Sequence, residues 1–161
     1  EEVSFLEENG ISVEIVPGIT SGIAASSYVG IPLTHRHGAS SVTFVTGHET
    51  SEKQEKNVNW RQLALSSNSL VIYMGIRNIE YIVEELIIGG MKNNTKCAVV
   101  QEATLKNQKS LVTELSELPE MIKKYNIKPP AIVLIGRIVD FQVKNTITKL
   151  SAVNLPKIKK I

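Results

Sequence analysis

Apolar residues gather into four short runs, at residues 42–46, 70–74, 97–100 and 131–135, and three of these are followed directly by glycine. The runs at 70–74 and 131–135 are almost unbroken, the pattern of strands covered on both faces. Residues 110–113 predict a further strand, reached from 97–100 through the polar bend Lys106-Asn107-Gln108. A bend that short joins antiparallel neighbours and not parallel ones. Residues 13–16 alternate as a strand and stop at Pro17-Gly18. Between these runs the period lengthens. Ile76, Ile79, Ile82, Val83, Leu86 and Ile87 recur at helical spacing, and Gly89-Gly90 closes that helix. Helices are also predicted over 1–10, over the small-residue stretch 19–28, over 60–65 and from Ser116 to about Tyr125. Residues 49–59 are polar and charged, as in a loop or flap. The alternation predicts an α/β fold: a mixed sheet of about five or six strands flanked by helices.

Length and composition add bounds. The chain has 161 residues, 42% hydrophobic and 21% charged, which suits one globular domain or a domain with an arm. No apolar run approaches the roughly 20 residues that span a bilayer. The opening Glu1-Glu2-Val3-Ser4 is not a secretory leader, so the expectation is a cytoplasmic protein without a membrane partner. The helix at the first residue suggests part of a longer chain. The single cysteine, Cys97, heads a buried run, can form no internal disulfide and is expected to be inert core. A net charge of +2 gives no case for nucleic acid. The charge is uneven, because residues 144–160 carry five lysines and no acid. Such an end is ordinarily solvated, so the expected layout is a domain over 1–141 and a basic tail over 142–161.

Candidate chemistry lies at the ends of the runs. Pro17-Gly18-Ile19-Thr20-Ser21-Gly22 follows a strand pattern and opens a helix pattern, so its backbone N–H groups and the Thr20 and Ser21 hydroxyls can hold a polar ligand. A Thr-capped helix packed on a sheet explains the same residues. His35, Arg36 and His37 offer a planar guanidinium with flanking imidazoles, which suits a carboxylate and equally suits a surface ion pair. A metal would need a third ligand, and His48 is the one histidine left, so no metal is expected. Tyr73-Met74-Gly75, Gln101-Glu102-Ala103-Thr104 and Pro130-Ala131 stand where open α/β sheets bind ligands. No nucleophile–base pair, carboxylate pair or phosphate loop occurs, and the catalytic residues are unassigned.

Taken in order, Val16-Pro17-Gly18-Ile19-Thr20-Ser21-Gly22, Gly30-Ile31-Pro32-Leu33-Thr34-His35-Arg36, Thr46-Gly47-His48, Tyr73-Met74-Gly75 and Pro129-Pro130-Ala131 resemble the hallmark blocks of the tetrapyrrole methylases. The first two blocks are similar in form to the members of that family that act on uroporphyrinogen III. The resemblance runs over residues 1–139. It implies the fold of the family's C-terminal domain and S-adenosylmethionine as methyl donor. It places Thr20, Ser21, Met74, Ala103 and Ala131 against S-adenosylmethionine, and His35 and Arg36 against the carboxylates of the tetrapyrrole. The implied reaction is C-methylation of uroporphyrinogen III to precorrin-2, toward siroheme or cobalamin, by a homodimer. A later precorrin methyltransferase, or a binding or dimerisation module without catalysis, are the alternatives. Ala103 stands where the family usually has glycine, Lys96 where it often has proline, and Thr113-Glu114 where it usually has Gly-Thr. The family's first-half blocks, a glycine- and proline-rich loop and a Gly-Gly-Asp-Pro turn, do not occur in this sequence. One wall of a two-domain cleft is therefore expected here.

Overall fold

A computed structural model of the chain describes residues 1–47 and 58–143. The expected flap lies mostly outside the described residues, as do His48 and the basic tail. In chain order the elements are α1 (Glu2–Glu8), α2 (Ser21–Tyr28), β1 (Thr43–Thr46), α3 (Trp60–Ser66), β2 (Ser69–Tyr73), a 3-10 turn at Ile76–Asn78, α4 (Ile79–Ile88), β3 (Lys96–Gln101), β4 (Lys109–Glu114), a second 3-10 turn at Leu115–Glu117, α5 (Leu118–Lys124), β5 (Ala131–Gly136) and a third 3-10 turn at Arg137–Phe141.

The five strands form one mixed sheet in the order β1-β2-β5-β3-β4. β1 and β2 are parallel, and every other pairing is antiparallel. The last strand thus lies in the middle, with Tyr73 opposite Ile132 on one side and Gln101 opposite Ala131 on the other. Because β5 opposes both neighbours, β2 and β3 run in the same direction. Their C-terminal ends and the start of β5 meet at one edge of the sheet. This edge carries the candidate site.

Side-chain alternation sends successive residues of the central strands to opposite faces. Leu70, Ile72, Cys97, Val99, Val133 and Ile135 join a core under α3, α4 and α5 with Trp60, Ile82, Leu86, Leu118 and Ile122. Val71, Ala98, Val100, Ile132 and Leu134 join a second core with Ala25, Val29, Ile31, Ile138 and Val139. Two cores on two faces account for the unbroken apolar runs. The expectation of helices on both sides of a mixed sheet is borne out.

One expectation is corrected. Residues 13–16 form no strand: Ile15 and Val16 are exposed, and no described strand pairs with them. A strand pattern needs a ladder partner to become a strand. The small-residue face of α2 is covered by the sheet. Gly22, Ala25 and Ser26 are buried, and the helix packs on β2 and β5. Exposed apolar residues precede that face at Ile11, Ile15, Val16 and Ile19, and Ile23 of the same helix is also exposed. α1 likewise buries no residue.

Candidate functional site

The strand ends described above open onto a cleft of about 600 Å³, lined among others by Ser21, Tyr73, Met74, Ala103, Pro130 and Ala131. Val100, Glu102, Leu105 and Ile132 complete much of the wall. Most of this surface is apolar, with a few polar groups at the edge, as small-molecule sites usually are.

Each contribution has a local cause. β2 ends at Tyr73, and the next residue, Met74, turns into the left-handed region with φ 52°. β3 ends at Gln101, and the next residue, Glu102, does the same with φ 48°. Non-glycine residues adopt this conformation at a cost of about 1 kcal/mol or more. Two such residues follow two strand ends and both line one cleft, which makes this edge the candidate site. The strain at Glu102 is held by two hydrogen bonds of its own and a third made by its neighbour Gln101. Its N–H donates to the Pro130 carbonyl at 3.0 Å. Its Oε1 accepts from Gln101 Nε2 at 3.1 Å, and Gln101 Oε1 accepts the Lys128 N–H at 2.8 Å. The end of β3 is thereby tied to the chain entering β5.

Glycine sets the opposite side. Gly22, in the first turn of α2, lies against Tyr73, where a Cβ would strike the Tyr73 hydroxyl and come within 2.7 Å of Val71 Cγ1. The Tyr73 hydroxyl accepts the Gly22 N–H at 3.2 Å and lies 2.6 Å from Thr20 Oγ1. Thr20 therefore reaches the site through Tyr73, while Ser21 lines the cleft directly.

Of the residues expected around a ligand, Ser21, Met74, Ala103 and Ala131 come together at this cleft, with Thr20 bonded at its edge. The residues lining it do not include His35 or Arg36. The His35 ring stacks on Phe141 with centroids 3.7 Å apart, and its Nδ1 accepts the His37 N–H at 3.3 Å. Arg36 is exposed. Among the described residues, no group of three His, Cys, Asp or Glu is placed to hold a metal, and no helix is long and apolar enough to cross a membrane. Sequence reasoning assigned roles to Met74 and Ala103 but none to Tyr73 or Glu102. Tyr73 did carry a signal: a tyrosine closing an apolar strand needs a partner for its hydroxyl.

Known proteins are consistent with this geometry. Residues 1–119 match the family model described as Tetrapyrrole (Corrin/Porphyrin) Methylases. The chain is 44% identical over 144 residues to a uroporphyrinogen-III C-methyltransferase of Bacillus subtilis, covering 89% of this chain and 56% of that protein. It is 41% identical over 144 residues to a siroheme synthase of Pseudoalteromonas atlantica, covering 89% of this chain and 31% of that one. Among solved structures, a uroporphyrin-III C-methyl transferase from Thermus thermophilus complexed with S-adenyl homocysteine superposes with a TM-score of 0.72 at 31% identity, over 86% of this chain and 59% of that one. The chain spans little more than half the length of these two methyltransferases. With the family model matched over most of its length, and with the mixed sheet and strand-end cleft in place, the chain belongs to the tetrapyrrole methylases.

Proposed function

We propose that this chain forms one wall of the S-adenosylmethionine site in a uroporphyrinogen-III C-methyltransferase. The observation that carries the reading is the gathering of Ser21, Met74, Ala103 and Ala131, distant in sequence, around one apolar cleft of about 600 Å³. The relative from Thermus thermophilus, described as complexed with S-adenyl homocysteine, supports the choice of ligand. The small side chains of Ala103 and Ala131 leave room for a flat ring, and Met74 offers a soft surface to a sulfur-bearing group. Thr20 and Ser21 supply hydroxyls for the polar end of the ligand.

A sulfonium methyl is already electrophilic, so alignment is the main task of the protein. An electron-rich pyrrole carbon attacks the methyl, the carbon–sulfur bond breaks with its electron pair going to sulfur, and the cationic macrocycle then loses a proton from another of its atoms to a base. This wall supplies binding and orientation for that step. Arg36, exposed and not among the residues lining the cleft, would offer its guanidinium to a carboxylate of the tetrapyrrole. We assign residues 1–141 to the domain, and place the full-length enzyme in the cytoplasm as a homodimer.

The test is methyl transfer by the full-length protein, with label followed from S-adenosylmethionine into reduced uroporphyrinogen III. Label in the macrocycle is expected. Label only in a later corrinoid precursor would move the assignment to a later methyltransferase, and label in neither would leave a binding module.

A further inference from the structure

We infer that Tyr73 is a positioning residue that holds the Thr20 hydroxyl at the edge of the cleft, so that the pair of hydroxyls offers one hydrogen to the ligand. The inference rests on reading the cleft as an S-adenosylmethionine site.

The first turn of a helix leaves backbone N–H groups without partners, and the residue before the helix usually takes one of them. Thr20 occupies that position before α2, yet its side chain makes no capping bond. The Gly22 N–H goes instead to the Tyr73 hydroxyl at 3.2 Å, on a different element of the fold. Thr20 Oγ1 is 2.6 Å from that same hydroxyl oxygen. The two hydroxyls carry two hydrogens. One is spent on the bond between them, whichever atom donates. With the Gly22 N–H already on the Tyr73 oxygen, one hydroxyl hydrogen remains at the edge of the cleft, free to be given to an acceptor. Tyr73 also lines the cleft, as do Ser21 and Met74. The absence of a side chain at Gly22 is what lets the phenol approach so closely.

The capping role of Thr20 is thus suspended by Tyr73. Removing the phenol oxygen lets Thr20 turn back and cap α2 in the ordinary way, with its hydroxyl drawn out of the cleft. The fold keeps its cap and the ligand loses its donor. A purely structural tyrosine behaves in the opposite way, its loss lowering stability without singling out one ligand.

The experiment uses the full-length enzyme carrying Tyr73→Phe, Thr20→Val or both, with S-adenosylmethionine affinity from calorimetry, KM for each substrate, and thermal midpoint. The loss of one neutral hydrogen bond corresponds to a weakening of about fivefold to tenfold. Tyr73→Phe is expected to weaken S-adenosylmethionine binding by that factor, to raise its KM equally, and to leave the tetrapyrrole KM within twofold. The thermal midpoint is expected to hold, and the double variant should be no weaker than Thr20→Val alone. Wild-type protein without affinity for S-adenosylmethionine overturns both the cleft reading and this inference. Wild-type binding with Tyr73→Phe inside twofold overturns the role of Tyr73 alone. So does a Tyr73→Phe protein that fails to fold, because recapping by Thr20 requires the fold to survive.

Discussion

Gly47 and Gly75 meet backbone to backbone: a Cβ added to Gly47 would stand 2.5 Å from the Gly75 Cα. The contact is fastened on both sides. The Gly47 N–H donates to the Tyr73 carbonyl at 2.6 Å, and Asn78 Nδ2 donates to the Gly47 carbonyl at 2.7 Å. The segment leaving β1 is thereby clamped to the turn that carries Met74.

Gly47→Ala is expected to destabilise the protein by about 1–3 kcal/mol, the usual cost of forcing a methyl into filled space. The methyl would meet backbone, and also Ile82 Cδ1 at 2.9 Å, so no side-chain rotation alone relieves it. Urea unfolding of the variant and the parent measures the difference, and an unchanged midpoint would contradict the clamp.

Met74→Gly separates stability from binding. Met74 is 60% exposed and holds φ 52°, so its side chain adds little to the core while its backbone is strained. Glycine removes the strain and adds freedom to the unfolded chain. A net gain of up to about 1 kcal/mol is expected, together with weaker S-adenosylmethionine binding through loss of the apolar contact. Thermal midpoints and calorimetry should move in opposite senses. A less stable variant with full affinity would reverse the assignment.

Burial pushes the Cys97 thiol far above its ordinary range, since the side chain is fully enclosed on β3. The unfolded thiol ionises near pH 8.5 or so, whereas the folded one stays protonated. Its contribution to stability is therefore complete below that value and is lost as pH rises beyond it. The slope is at most about 1.4 kcal/mol per pH unit for one proton. Cys97→Ala should show a shallower alkaline decline than the parent in unfolding curves between about pH 7.5 and 10. Identical slopes would show that other groups carry the whole effect. A thiol reagent should also fail to modify the native protein.

The 161-residue chain by itself is expected to hold S-adenosylmethionine weakly. Pockets normally cover most of a ligand's surface, yet Met74 and Leu105, which line this cleft, are each 60% exposed. Calorimetry on the isolated chain should give an affinity well below that of the full-length enzyme, and micromolar binding would mean that this wall suffices.

Much of the sheet was legible because Leu70 to Tyr73 and Ala131 to Ile135 are apolar without interruption, which only burial on two faces explains. The pairing of β3 with β4 followed from a bend too short for a parallel crossover. Residues 13–16 misled because alternation records a preference for an extended backbone and says nothing of a partner. The site was half visible. Met74, Ala103 and Ala131 were marked by their places at strand ends. The bonding of Tyr73 was not, because the partners of its hydroxyl, Gly22 and Thr20, are more than fifty positions away in sequence. The unlike surroundings of His35 and Arg36 were equally hidden, since Phe141 comes from the far end of the described chain.

The central place of β5 governs how the protein can be made. A ribosome delivers β1 through β4 before Ala131 exists, and a growing chain folds in the order in which it emerges. Until β5 arrives, β2 and β3 each present a bare apolar edge to whatever is nearby, and such edges recruit other strands. A shortened version that stops between Glu114 and Ala131 would keep four of the five described strands and still lack the one that joins them. It should accumulate as aggregate, not as a smaller soluble domain.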